Sequence, residues 1–228
     1  RLRYLSKFVE LITAEPSKRL QPRIAKAGTL LRRAQELGVA VHLDMEQYVY
    51  KNLTLAILKE LLLEEELRSR TDIGITLQAY LRDSAQDLQD LINWAKKRGY
   101  PVTVRLVKGA YWDQETIKSR QNHWPQPVYN EKSATDANYE RMTRLLLENH
   151  QYLYAAIGSH NVRSQALACA IAESLEIPRR RFEMQVLYGM GDQLAKALVK
   201  RGHRVRVYSP YGQLLPGMAY LIRRLLEK

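Results

Sequence analysis

The sequence predicts an α/β fold, a TIM-like (β/α)8 barrel that is distorted and incomplete at its N-terminal strand. Three observations carry that expectation. From about residue 23 onward, short β-rich runs alternate with segments of helical period, the order that builds a parallel sheet with crossover helices. The 228 residues fall in the range of roughly 200 to over 400 that one such barrel occupies, and 46% hydrophobic content is enough for one core. Several apolar runs end in clustered polar and aromatic groups, most plainly Val104-Arg105-Leu106-Val107-Lys108-Gly109-Ala110-Tyr111-Trp112-Asp113, and barrel enzymes carry their chemistry at the carboxyl ends of strands.

In chain order, a weak strand at 1–6 and helices at 8–12 and 20–37 precede the first secure strand, 39–44. Strands at 73–80, 102–108, 153–159, 182–187 and 203–209 follow, separated by helices at 53–68, 83–98, 138–149, 164–175 and 192–201, with a last helix at 216–227. The helix at 83–98 shows the reasoning: Leu88, Leu91, Ile92 and Ala95 recur at i, i+3, i+4, i+7, and Gly99 is placed as its stop. Residues 114–130, with Pro125 and Pro127, are expected to form one long irregular connection, a candidate lid or binding loop. Closing a barrel takes eight strands, so the shortfall is assigned to residues 1–38, an atypical or truncated start to a single domain over 1–228. There is no internal repeat and no low-complexity tract.

Composition narrows the partners. The formal charge is +12, but the basic residues are scattered over helix faces and not interleaved with aromatics, which argues against a specific nucleic-acid partner and suits a basic surface or attraction to anionic lipid. No apolar stretch approaches the ~20 residues a membrane-spanning helix needs, so any membrane contact is expected to be peripheral. The single cysteine, Cys169, sits in an apolar helix and permits no intrachain disulfide, which points to a cytoplasmic location, free or on the inner face of the membrane. Homo-oligomerisation is left open.

The candidate chemistry lies at the strand ends and in the last helix. Tyr220, Arg223, Arg224 and Glu227 share one helical face, and two adjacent guanidiniums suit a carboxylate; a solvated basic helix end, favoured by the macrodipole, is the plainer alternative. His42, Asp44 and Glu46 share a strand face and with His160 could frame a metal site in a hydrolase or lyase. Against that, Asp44 alone would face inward while His42 packs, and with no further ligand pattern no metal is assigned. Lys108 invites a Schiff-base role with Arg105 lowering its pKa, against the commoner surface or phosphate-binding lysine. Gly189-Met190-Gly191 is too short for a nucleotide fingerprint, and Tyr111 and Tyr208 are of the type found as core or rim aromatics.

Together, Leu43-Asp44-Met45-Glu46, Leu77-Gln78-Ala79-Tyr80, residues 105–113, Ser159-His160-Asn161, Phe182-Glu183-Met184-Gln185 with Gly189-Met190-Gly191, Val207-Tyr208-Ser209-Pro210-Tyr211-Gly212 and Tyr220-Leu221-Ile222-Arg223-Arg224-Leu225-Leu226-Glu227 resemble proline dehydrogenase, specifically the barrel of bifunctional proline utilization A proteins. The likeness runs over roughly residues 30–228. It implies a distorted barrel holding FAD noncovalently, oxidising L-proline to Δ1-pyrroline-5-carboxylate and passing electrons to a membrane quinone.

Carried over by position, the resemblance implies that Arg105 lies beside flavin N5 and Gln78 bonds the isoalloxazine edge, with Lys108, Gly109, Ala110 and Trp112 lining the flavin and its ribityl chain. Ser159, His160 and Asn161 would hold the pyrophosphate and ribose, Gln185 and Leu187 would border the isoalloxazine and proline pocket, and Glu227 would reach the cofactor or its ion-pair network. Arg223 and Arg224 would clamp the proline carboxylate, Tyr111, Tyr208 and Tyr220 would wall the ring, and Asp44 would join the polar network beneath it. Arg105, Tyr208 and Asp44 are thus the expected catalytic residues. One departure stands out: where the family ends its first strand with a lysine in a VKLSAL-like motif, this chain has Arg3-Tyr4-Leu5-Ser6-Lys7, with tyrosine at that place. The alternative expectation is therefore a catalytically impaired, flavin- or proline-binding barrel fragment.

Overall fold

The computed structural model describes residues 20–209. After helix α1 (Leu20–Glu36), six strands alternate with helices: β1 (Val41–Leu43), α2 (Lys51–Leu61), β2 (Ile73–Gln78), α3 (Ser84–Arg98), β3 (Val102–Val107), α4 (Trp112–Gln121), α5 (Lys132–Glu148), β4 (Leu153–Gly158), α6 (Val162–Ser174), β5 (Phe182–Leu187), α7 (Asp192–Lys200) and β6 (Val205–Tyr208). All five strand pairings are parallel and the sheet order is β1-β2-β3-β4-β5-β6. Because βαβ crossovers are right-handed, an order that never reverses puts every connecting helix on the same face. A twisted sheet covered on one face curls around the other, and the described strands form a curled half-barrel.

Alternation along the strands sorts the two faces. On β3, Val102, Val104 and Leu106 are fully buried under the helices while Thr103, Arg105 and Val107 are half-buried on the concave side. The same rule buries Val41 and Leu43, Ile73, Ile75 and Leu77, Leu153, Ala155 and Ile157, and Phe182 and Met184 in one continuous core with the helices. Each of these side chains other than Ala155 contributes on the order of 1.5–3 kcal/mol through burial. The concave face receives the polar members of the same strands.

The expected distorted, incomplete barrel is found, and its six secure strands all form, each with ends within two residues of the expected ones. Gly99 caps α3 with φ 82°, the left-handed turn expected of a stop there. Three expectations need correction. The stretch 114–130 is not one irregular loop, since α4 occupies Trp112–Gln121. That helix buries only Glu115, Thr116 and Ser119, so it has no apolar period to read; acidic residues in its first turn and basic ones in its last match the macrodipole instead. The second correction is that α5 starts at Lys132, six residues before the expected 138. Thirdly, α2 stops at Leu61, not Arg68: the chain tightens into i→i−3 bonds at Leu63 and Glu64, passes the like charges Glu64-Glu65-Glu66 and returns Leu67 to the core. The weak strand at 1–6, the helix at 8–12 and the arginine helix at 216–227 lie outside the described residues.

Candidate active site

The carboxyl ends of the strands place the site. Asp44 follows β1, Gln78 ends β2, Lys108 follows β3, Ser159-His160-Asn161 follow β4, Gln185 and Leu187 close β5, and Tyr208 closes β6. Period-two alternation turns Thr76, Arg105, Gln185 and Arg206 onto the concave face, where hydrogen bonds join residues from five strands or strand ends. Thr76 Oγ1 donates to Asp44 Oδ1 at 2.9 Å, and Arg105 pairs with the same carboxylate through Nη1. Arg105 Nε donates to Gln185 Oε1 at 2.8 Å, Gln185 Nε2 donates to Glu183 Oε1 at 2.7 Å, and Arg206 forks onto both Glu183 oxygens at 2.6 and 3.0 Å. The Arg105 guanidinium also stands 5.4 Å from the centroid of the Tyr208 ring. Asp44, Arg105, Gln185 and Tyr208, four of the expected site residues, are thus brought together.

Electrostatics follow from the pairing. Burial pushes the Glu183 carboxyl up, but hydrogen bonds from Arg206 and Gln185 outweigh it and hold the group below its usual range. His42, one step deeper on the same face, is held well below the ordinary histidine range, first by burial and then by Arg105. Its ring lies over Gly74, where a Cβ would come within 2.5 Å, and its Nε2 has no hydrogen-bond partner. His42 therefore does pack, although alternation also puts it on the concave face. The His42–Asp44–Glu46–His160 constellation does not assemble: among the described residues no three His, Cys, Asp or Glu side chains group closely enough for a metal ion.

Around the mouth, the backbone is shaped by specific contacts. Gln78 donates Nε2 to Met45 O at 2.9 Å, which leaves its buried Oε1 an acceptor without a partner. Gly109 has φ 128°, and a Cβ there would meet the Tyr80 ring at 2.5 Å, so only glycine allows the chain this close to Tyr80. Lys108 Nζ pairs with Asp136 Oδ1 of α5 at 2.6 Å and lies 5.6 Å from the Tyr139 ring centroid. A lysine held by a carboxylate is the opposite of the desolvated, lone amine a Schiff base needs. Burial raises the Asp136 carboxyl, but Lys108 and then Lys132 bring it below its usual range. Tyr111 is buried just before α4, Ala110 is half-buried, and Trp112, partly exposed, donates Nε1 to Tyr129 O at 2.7 Å. The loop after α4 is fastened to the end of β2 by Tyr129 N to Tyr80 O and Arg82 N to Pro127 O, both 2.9 Å, so the expected lid is partly an anchored strap.

The β4–α6 junction is built as a helix N-terminus. Asn161 caps α6, its side-chain oxygen accepting from Ser164 N at 3.1 Å, while Ser159 Oγ accepts from Asn161 N at 3.1 Å. His160 Nε2 accepts from Leu187 N at 2.8 Å, which ties this junction to the end of β5. A helix N-terminus with such neighbours is suited to an anionic group. Tyr220, Arg223, Arg224 and Glu227 lie outside the described residues. Glu183, Thr76 and Asp136 were not singled out by sequence reasoning; alternation does put Glu183 on the face of Gln185, but nothing local in the sequence names Arg206 or Tyr154 as its neighbours.

A parallel β/α half-barrel whose polar groups gather at the carboxyl ends of its strands defines a barrel of the kind that carries its chemistry there. The comparisons with known proteins are more specific. The family model described as proline dehydrogenase matches residues 4–228, and the chain belongs to the proline dehydrogenase family. It is 34% identical over 216 residues to bifunctional protein PutA of Klebsiella aerogenes, covering 91% of this chain and 16% of that protein. To proline dehydrogenase 2 of Bacillus subtilis strain 168 it is 34% identical over 199 residues, 87% of this chain and 57% of that one. A crystal structure of proline utilization A from Bdellovibrio bacteriovorus, inactivated by N-propargylglycine, matches with TM-score 0.89 and 49% identity over 91% of this chain and 22% of that one. The chain thus spans between about a sixth and three-fifths of the length of these curated relatives.

Proposed function

We propose that residues 1–228 are the barrel of an FAD-dependent proline dehydrogenase, which oxidises L-proline to Δ1-pyrroline-5-carboxylate in proline catabolism and passes the electrons to a membrane quinone. The observation that carries this is the concave chain Asp44–Arg105–Gln185 with Tyr208 above it, formed at strand ends by residues of the family's own strings. The residues fit the cofactor. Gln78 Oε1 is a buried acceptor in want of a donor, which an isoalloxazine N–H would supply, and Gly109 lets the chain after β3 lie close against Tyr80, beside that acceptor's strand end. The capped start of α6, with Ser159, His160 and Asn161, would take the pyrophosphate. Lys108, Ala110, Trp112, Gln185 and Glu227 would complete the cofactor contacts.

Bound flavin would supply the hydride acceptor. The protein's share is orientation and charge. Arg223 and Arg224 would grip the proline carboxylate in forked bonds, while Tyr111, Tyr208, Tyr220 and Leu187 would wall the ring and exclude water. Arg105, held by Asp44 and Gln185, would set positive charge where negative charge grows during reduction. The quinone would be met in a peripheral, cytoplasmic-side encounter with the membrane; among the described residues no helix is long and apolar enough to cross it.

A second reading, a barrel that binds flavin or proline without turnover, rests on Tyr4 standing where the family has lysine. Turnover with L-proline and a dye acceptor, trapping the pyrroline product with o-aminobenzaldehyde, separates the two. Proline-dependent product supports the dehydrogenase; flavin binding without product supports the second reading. N-propargylglycine should also abolish turnover in this protein, and protection by proline would place it in the same pocket.

A further inference from the structure

We propose that Glu183 is a positioning residue for Arg105: it fixes which way the Gln185 amide faces, and through that amide it fixes the guanidinium. The proposal rests on the site reading above. Glu183 is 2% exposed, at the buried end of the concave chain, and none of the roles assigned so far uses it. Its two oxygens take four donors: Gln185 Nε2 at 2.7 Å, Arg206 Nε at 2.6 Å, Arg206 Nη2 at 3.0 Å and Tyr154 OH at 3.4 Å. An ionised carboxylate can only accept, whereas a glutamine amide has one donating and one accepting end. Glu183 therefore claims the donating end of Gln185, and the accepting end is left to face Arg105 Nε at 2.8 Å. The reversed amide would set NH2 against N–H at that distance, a contact with no hydrogen bond. Arg105 is then held at two points, Nε by Gln185 and Nη1 by Asp44, which fixes the plane it presents to Tyr208. With one point lost it pivots about Asp44.

Glu183→Gln is the discriminating substitution because it keeps size and shape but adds a donor. Glu183 Oε1 takes Arg206 Nε as well as Gln185 Nε2, and Oε2 takes Arg206 Nη2 and Tyr154 OH, so the added NH2 displaces an arginine donor on either side; set on the Oε1 side it faces Gln185, whose amide flips to accept it and then opposes Arg105. Crystal structures of the wild-type protein and of E183Q, both with FAD supplied, should show the Arg105 guanidinium displaced by about 1 Å or more in the variant. A displacement of that size is enough to cost on the order of 10²-fold in rate. Per bound flavin, kcat with proline should fall at least about tenfold with proline KM within about twofold, a split that simple loss of folded protein does not produce. A turned Gln185 amide with Arg105 unmoved in E183Q, or a KM effect without a kcat effect, overturns the proposal. Should E183Q fail to fold or leave the Gln185 amide unturned, Gln185→Leu removes the middle link: displacement of Arg105 supports the proposal and an unchanged Arg105 overturns it. If the wild-type protein shows no proline turnover, the functional reading fails, while the displacement of Arg105 is still decided by coordinates alone.

Discussion

The two faces of the one curled sheet are made by alternate residues of the same strands, yet they are held by different forces. The convex face is apolar, mostly Ile, Leu and Val with Ala155, Phe182 and Met184, packed against helices. The concave face is a run of acceptors and donors in which each partner restricts the next: Thr76, Asp44, Arg105, Gln185, Glu183, Arg206. Non-directional burial gives the convex face its stability, and directional pairing gives the concave face its geometry. A substitution on one face should therefore leave the property of the other nearly intact.

The largest effect should come from the convex side. Leu106→Ala removes a fully buried side chain from β3 and should cost about 2–5 kcal/mol in urea unfolding, with flavin affinity of the folded fraction unchanged. A matching loss of flavin affinity would show that the faces are not separable. In the substrate clamp proposed above, Arg223→Met or Arg224→Met should raise proline KM more than about tenfold, on the order of 1.4 kcal/mol, with little change in unfolding midpoint; normal proline saturation in both variants would remove the clamp assignment.

His42 sharpens the comparison through pH. It is buried and neutral in the folded chain, so the unfolded chain binds the extra proton once pH falls below the ordinary histidine value of about 6.5. Stability is full above that value and falls below it, by as much as about 1.4 kcal/mol per pH unit for this one group. Urea midpoints at pH 7 and pH 5 should therefore differ less in His42→Gln than in the wild type; equal differences would contradict its buried neutral state. The smallest effect is at the helix start: Asn161→Ala should cost about 1 kcal/mol by removing the cap of α6 and should weaken FAD binding by loosening Ser159-His160. A stability loss with unchanged FAD affinity would separate the cap from the cofactor site.

The same contrast explains what was legible in the sequence. Runs such as Val102–Val107 show themselves because alternate positions must be apolar to lie under helices, and that demand is local. The helix Trp112–Gln121 was hidden because it buries so little that no apolar period is required of it. The family strings located Arg105, Gln185 and Tyr208, which do converge. Pairing across the sheet was not legible: Glu183 meets Arg206 and Lys108 meets Asp136 at separations of 23 and 28 residues, set by strand register and helix docking and not by any local pattern. Directional contacts of this kind become visible only once the strands are aligned.

The central claim is that the concave face holds a flavin where proline can reduce it. The anaerobic visible spectrum of the purified protein with FAD, before and after L-proline, tests it most directly. Bound-flavin absorption that bleaches on addition of proline is the predicted result; bound flavin that stays oxidised, or no bound flavin at all, would contradict it.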